Sequence, residues 1–310
     1  MSKAPARISV IIPTQRRPES LTRAVKSVFR QKSPPAAADL ELIVVDNDPA
    51  GSAEATVGRL QYETPFRLVY VHEPQPGVAG ARNAGLAAAS GEMIAFLDDD
   101  EEASPGWLSA LIAVQAEFDA DVVFGPVRGR APSEVRRHRS YFEGFFSREG
   151  PSEARLLEGH YGCGDSLIRR AALPHPTAPF ARSRDQIGGE DDLLFEQMQA
   201  RGARFAWAPD AWVWEHPEPA RFTLGYALRR AFAYGQGPSY ACMTRTPPDR
   251  AGAARWMVVG MGQTVVFGLA GLLKWLVRAP DRAHTFDRAA RGLGKVLWFR
   301  PFRQRFYGLP

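Results

Sequence analysis

Four short runs of apolar residues constrain this fold more than any other feature of the sequence: Ile8 to Pro13, Leu40 to Val45, Phe66 to Val71 and Glu92 to Leu97. None alternates apolar with polar residues as a strand with one wet face must, so each predicts a strand covered on both sides. Between the first two runs, residues Glu19 to Gln31 place Leu21, Ala24, Val25, Val28 and Phe29 at helical spacing. Before the fourth, Gly77 to Ala89 reads as a helix entered through glycines. Buried strands separated by helices predict an α/β fold with a mainly parallel sheet and helices on both faces. Further on, Trp107 to Phe118 reads as a helix, Asp121 to Arg128 as a strand, and Glu190 to Arg201 as a helix with an acidic start. Phe205 to Trp214 reads as the last strand of the body, and the polar stretch 129 to 160 as a mobile excursion.

Composition excludes several classes. At 310 residues and 45% hydrophobic, the chain has ample material for a buried core. Its two cysteines, Cys163 and Cys242, are far apart and outside any C-x-x-C spacing, which argues against a disulfide framework or a cysteine zinc site. The first residues lead straight into a strand without the marks of a secretory signal, so a catalytic part facing the cytoplasm is expected. Charge is divided unevenly: residues 219–310 hold 15 Lys and Arg against three Asp, which leaves 24 against 31 acids for residues 1–218. A basic tail of this kind meets anionic lipid or nucleic acid, and its apolar content favours lipid.

The chemistry is expected where strands end. Asp98-Asp99-Asp100 follows the strand Met93 to Leu97, at the end where open α/β sheets bind ligands. On an extended segment Asp98 and Asp100 would point the same way and share a hard divalent cation with a phosphate-bearing ligand. Gly189-Glu190-Asp191-Asp192 opens a helix, where carboxylates are favoured by the helix dipole, and it also offers a fixed carboxylate as a general base. His216 ends the last strand and is a candidate metal ligand. Arg82, in the turn and helix Gly77 to Gly85, suits a diphosphate or a carboxylate partner.

Taken in order, Ile8-Ser9-Val10-Ile11-Ile12-Pro13-Thr14, Ile43-Val44-Val45-Asp46-Asn47, Gly80-Ala81-Arg82-Asn83-Ala84-Gly85, Phe96-Leu97-Asp98-Asp99-Asp100 and Gly189-Glu190-Asp191 resemble the family 2 glycosyltransferases over about residues 7–217. The resemblance implies a GT-A fold and an inverting transfer from a nucleotide sugar, a UDP-hexose in this reading, to a glycan or lipid-linked hydroxyl in surface or exopolysaccharide synthesis. It implies that Pro13, Thr14 and Asp46 hold the nucleoside, that Arg82 lies near the pyrophosphate, and that Asp98 serves ribose or metal. It further implies Asp98, Asp100 and His216 as ligands of Mn²⁺ or Mg²⁺, and Asp191 as the base. Two departures stand out. Asp165 occupies a position where many relatives carry Asn, and the Q-x-x-R-W element of processive members is missing, so one sugar per encounter is expected. The competing readings are a sugar nucleotidyltransferase, which should show a glycine-rich triphosphate loop near the N-terminus, and a non-catalytic membrane scaffold.

The expected domains are residues 1–218, catalytic, and 219–310, a basic helical region. Within the latter, Trp256 to Leu273 runs uncharged for 18 residues between Arg255 and Lys274, at the lower limit for a membrane span. A single crossing would put the following basic residues outside, against the positive-inside tendency. A peripheral or monotopic placement on the cytoplasmic face of the membrane is therefore expected, with a lipid-linked acceptor and no nucleic acid as partner.

Overall fold

The structure is a computed structural model that describes residues 7–32, 39–185 and 188–302. In chain order its elements are β1 (Ile8–Thr14), α1 (Pro18–Phe29), β2 (Leu40–Asp46), α2 (Glu54–Leu60), β3 (Arg67–His72), α3 (Val78–Ala88) and β4 (Met93–Phe96). There follow β5 (Glu101–Ala103), α4 (Trp107–Phe118), β6 (Val122–Phe124), β7 (Val127–Gly129), α5 (Arg139–Phe146), β8 (Arg155–Leu157) and β9 (Ser166–Arg169). The chain continues through α6 (Glu190–Ala200), β10 (Phe205–Trp207), β11 (Val213–Glu215), α7 (Leu224–Thr244), α8 (Arg250–Leu276) and α9 (Arg282–Val296).

Eight strands form one sheet in the order β3-β2-β1-β4-β9-β6-β10-β8. Its first four strands are parallel, as the continuous apolar runs predict, and β9 enters antiparallel between β4 and β6. Side chains alternate across it. Val10, Ile12, Leu42 and Val44 pack with α1, α2 and α4 on one face, while Ile11, Ile43, Val45 and Phe96 pack with α3 and α6 on the other. Helices therefore cover both faces, and the α/β expectation holds.

Two expected strands each break in two. Asp121 to Arg128 becomes β6 and β7, and Phe205 to Trp214 becomes β10 and β11; in both cases the second piece leaves the large sheet for a three-stranded one, β5-β11-β7. At the first break Gly125 lies so close to the carbonyl of Ala211 that a Cβ would stand 2.0 Å from its oxygen, and Pro126 has no N–H for a ladder. Apolar content alone could not reveal the change of sheet. The stretch 129–160, expected as an excursion, contains α5 and β8, with Tyr141 and Phe142 buried.

The described residues form two compact units. One comprises 7–128 and 147–216, and the other 129–146 and 217–302, so the segment 129–146 lies on the far side of the division expected at 218/219. The second unit has its own small core of Ala131, Tyr141, Phe142, Phe222, Ala227 and Ala283. Tyr141 donates to Asp287 at 3.1 Å, and Arg291 pairs with the same carboxylate at 2.6 Å. Thr223 and Asp249 cap α7 and α8 by accepting the amides of Tyr226 and Gly252.

Candidate active site

The C-terminal ends of β1, β2 and β4 lie side by side, which brings Thr14, Asp46 and Asp98 to one edge of the sheet. Thr14 is in register with Asp46. Its hydroxyl donates to Asp99 at 2.7 Å. Asp46 is buried, and its oxygens accept the amides of Asp48 and Ala53 and the hydroxyl of Tyr70, at 3.1, 2.6 and 3.0 Å. Burial and this bond push the Tyr70 phenol up to about 12. In this structure Asp46 therefore shapes the loop after β2. Asn47 ties the same loop to the approach to α3: its amide donates to the carbonyls of Glu73 and Gln75, and its oxygen accepts from Gly77.

The acidic triplet is a tight turn, not the extended segment expected, closed by the Glu101 amide donating to the Asp98 carbonyl at 3.0 Å. Its carboxylates are divided between two arginines, Asp98 facing Arg82 and the other two Arg17. Asp98 remains partly exposed and faces Arg82 at 3.4 Å. Asp99 is buried, and Arg17 reaches both Asp99 and Asp100, at 3.0 and 3.3 Å. Burial raises the Asp99 pKa, against the opposing pull of Arg17 and Thr14. Glu101 is buried beneath the turn and accepts the Asp98 amide at 2.9 Å; burial, with Asp98 and Asp165 nearby, lifts its pKa well above the usual carboxylate range.

Arg82 joins this turn to the second acidic motif. It rises from α3, fully buried, and pairs with Glu190 at the start of α6 as well as with Asp98. Burial opposes its charge, but Cys163, Asp98, Glu190 and Asp191 around it outweigh that penalty and raise its pKa. Burial in turn raises the pKa of Glu190. A second link is the segment Gly162-Cys163-Gly164. The Cys163 amide donates to Asp191 Oδ2 at 3.0 Å, and Gly164 lies against Asp98, where a Cβ would come within 2.6 Å of Oδ2. Arg148 holds the segment through the Gly164 carbonyl, at 2.5 Å. Motifs far apart in sequence thus meet around Arg82, with Asp191 and Asp98 against the two ends of a three-residue strap.

The fit of a divalent cation depends on what these carboxylates can offer. Among the described residues, no three His, Cys, Asp or Glu side chains stand close enough to hold an ion as they are. The backbone brings His216 beside Asp100, its amide donating to the Asp100 carbonyl at 2.8 Å, but its imidazole Nε2 lies 3.0 Å from Glu102. Two carboxylates on a turn nonetheless suit Mg²⁺ or Mn²⁺ held together with phosphate oxygens, since such ions commonly take one or two protein carboxylates and fill the remaining sites from the ligand.

Sequence reasoning missed Arg17, Glu190, Arg148 and Glu101. Their partners lie on other elements, and no local spacing announces such pairings. Only Glu190, beside Asp191 in an acidic helix start, had a visible signal.

A covered, largely parallel sheet with an acidic turn after β4 has the architecture of the GT-A class of glycosyltransferases. The chain matches the family model described as Glycosyl transferase family 2 over residues 9–175, and it belongs to that family. It is 37% identical over 231 residues to the succinoglycan biosynthesis protein ExoM of Rhizobium meliloti, covering 74% of this chain and 73% of the relative. It is 36% identical over 117 residues, 37% of each chain, to the GalNAc(5)-diNAcBac-PP-undecaprenol beta-1,3-glucosyltransferase of Campylobacter jejuni. Its fold is similar to that of the mannosyltransferase PcManGT of Pyrobaculum calidifontis in complex with GDP-Man and Mn²⁺, with a TM-score of 0.63, 18% identity and coverage of 94% of this chain and 87% of that one. The nucleotidyltransferase alternative falls with this membership.

Proposed function

We propose that the cleft binds a nucleotide sugar, a UDP-hexose, with Mn²⁺ or Mg²⁺, and passes the sugar with inversion to a hydroxyl of a glycan or lipid-linked acceptor in polysaccharide synthesis. The observation that carries this reading is the convergence of Asp98 and Asp191 on one cleft through Arg82 and the strap 162–164. Pro13, Thr14 and Asp46 border the nucleoside, and Arg82 adds positive charge beside the diphosphate. Asp98 and Asp100 hold the cation, joined by His216 once its imidazole leaves Glu102. When bound, the cation neutralises charge gathering on the diphosphate.

Asp191 takes the proton of the acceptor hydroxyl as its oxygen bonds to the anomeric carbon. The bond from that carbon to the diphosphate breaks, and the electron pair leaves with the diphosphate, so no second carboxylic acid is needed. The chain holds Asp191 for this purpose: Oδ2 accepts from Cys163 and Oδ1 from the Asp192 amide, at 3.0 and 2.9 Å. Acceptor chemistry is supported by the succinoglycan biosynthesis and the PP-undecaprenol glycan named for the relatives, and by the long apolar helix α8, which favours work at a membrane surface.

A panel of UDP-, GDP- and dTDP-sugars with Mn²⁺ or Mg²⁺, scored for nucleoside diphosphate release, tests the donor. Asp191→Asn keeps one accepting oxygen for a backbone amide, gives up the other because its NH2 cannot accept, and removes the base, so kcat falls by roughly 10²- to 10⁴-fold while donor binding and the circular dichroism spectrum are retained. An unchanged turnover sinks the mechanism.

A further inference from the structure

We infer that α8 lies in the plane of a membrane rather than through it, with its open apolar face set on an anionic phospholipid surface. This rests on the membrane-face reading above and specifies its geometry. Composition alone permits three fates for this helix: a core element, a span or an interfacial helix.

The first is excluded by exposure. Only 11% of the most apolar 18-residue window of α8 is buried. Val258, Met261, Val265, Leu269, Leu272 and Leu276 recur every three or four residues as one stripe, and Val258, Val265, Val266 and Leu269 are each 59–62% exposed. A contiguous face of this size is far more than a soluble surface tolerates without a partner.

The second fate fails on what covers the opposite side of α8. There α9 runs antiparallel along it in close contact. A Cβ on Gly260 would stand 2.5 Å from the carbonyl oxygen of Gly292, one on Gly271 would stand 2.8 Å from the ring of Phe286, and Lys274 pairs with Asp281. The Arg288 guanidinium lies over the Phe267 ring at 5.2 Å, near the middle of the apolar stretch, and Asp287 with Arg291 sits on the same helix. If α8 crossed the bilayer, α9 would carry these charges to mid-membrane depth, where ionised side chains are strongly disfavoured. Laid flat, α8 puts its stripe into the acyl boundary and lifts α9 toward the headgroups and water.

Charge selects the occupant. From residue 250 to 302 the chain has nine Lys and Arg against two Asp. Lys274 is paired with Asp281, while Arg255 near the start of the helix and Arg278 just beyond its end leave cations at the two ends of the apolar stretch, as an anionic lipid surface requires.

Two experiments on the full chain test this. In sealed inverted membrane vesicles, Ala254→Cys and Pro280→Cys variants should both react with an impermeant maleimide before permeabilisation. The native Cys163 and Cys242 are buried, and the wild type serves as the control. Labelling of one position only after detergent means a span and overturns the inference. Purified protein should float with phosphatidylglycerol–phosphatidylethanolamine vesicles, and the double variant Leu269→Glu, Leu272→Glu should lose at least roughly tenfold in vesicle affinity with helix content unchanged. Failure of the wild type to float, with a stable dimer instead, assigns the face to a second copy and also overturns it. Neither readout uses turnover, so an inactive chain that labels and floats as stated counts only against the catalytic reading.

Discussion

Asp165 illustrates what a single residue decides here. It has a left-handed backbone, φ +55°, a conformation that Asp and Asn tolerate better than most side chains. Its Oδ1 accepts the Trp107 indole N–H at 2.6 Å, while Oδ2 is buried with no hydrogen-bond partner among the described residues. Burial, against the pull of Arg148 and Trp107, raises its carboxyl to about 7. A neutral acid with one accepting oxygen closely imitates an asparagine at this position. The folded state keeps this proton while the unfolded chain loses it near the ordinary carboxylate pKa, so the contribution is fully present below about pH 4 and is lost as pH rises to about 7. At about 1.4 kcal/mol per pH unit, the loss is on the order of 2–4 kcal/mol. Asp165→Asn should remove it: thermal melts between pH 4 and 8 should show the variant gaining on the wild type until about pH 7 and running parallel above. Parallel curves throughout would mean that Asp165 is ionised in the fold. The acidic motifs themselves were legible from their positions at strand and helix ends. The neighbours that set their protonation were not, because burial is a property of the folded surroundings.

At the level of elements, the loops after β1, β2 and β4 build the cleft, and their mutual bonds set its shape. Asn47 illustrates the dependence: a polar residue after a strand reads only as a turn, yet its side chain fastens the loop after β2 to residues 73–77 through three hydrogen bonds. Asn47→Ala leaves two carbonyls and an amide without these partners. It should cost about 1–3 kcal/mol and raise the donor KM more than it lowers kcat, because α3 carries Arg82 but not the base. Chemical denaturation and steady-state kinetics on the same preparation check both parts, and a kcat loss with an unchanged KM counts against it. The strands β1 to β4 were readable because a buried parallel strand is a continuous apolar run. The division of 121–128 and 205–214 was not, since an apolar residue suits either sheet, and the change falls where Gly125 is pressed against Ala211 and Pro126 offers no N–H.

For the molecule as a whole, the two units do not follow the chain in one cut. Residues 129–146 belong to the second, where Tyr141 and Phe142 pack with Phe222 and Ala227, and Tyr141 bonds to Asp287. A truncation after residue 218, sensible from charge and composition, would strip this segment of its core. The shortened protein should bind a hydrophobic dye and elute as aggregates in gel filtration. A monodisperse, dye-silent product would show that 129–146 needs no partner from the tail.

By itself the sequence determined the covered parallel sheet, the acidic turn after β4, the acidic start of α6 and a basic tail with one long apolar helix. These follow from local rules of burial, periodicity and charge, which act on neighbouring residues. Tertiary structure alone decided that Arg82 and the strap 162–164 link the turn of Asp98 to the helix start of Asp191, that His216 faces Glu102, and that α9 lies along α8. Each of these is a contact between remote segments, and its energy depends on what the folded chain encloses rather than on any local pattern.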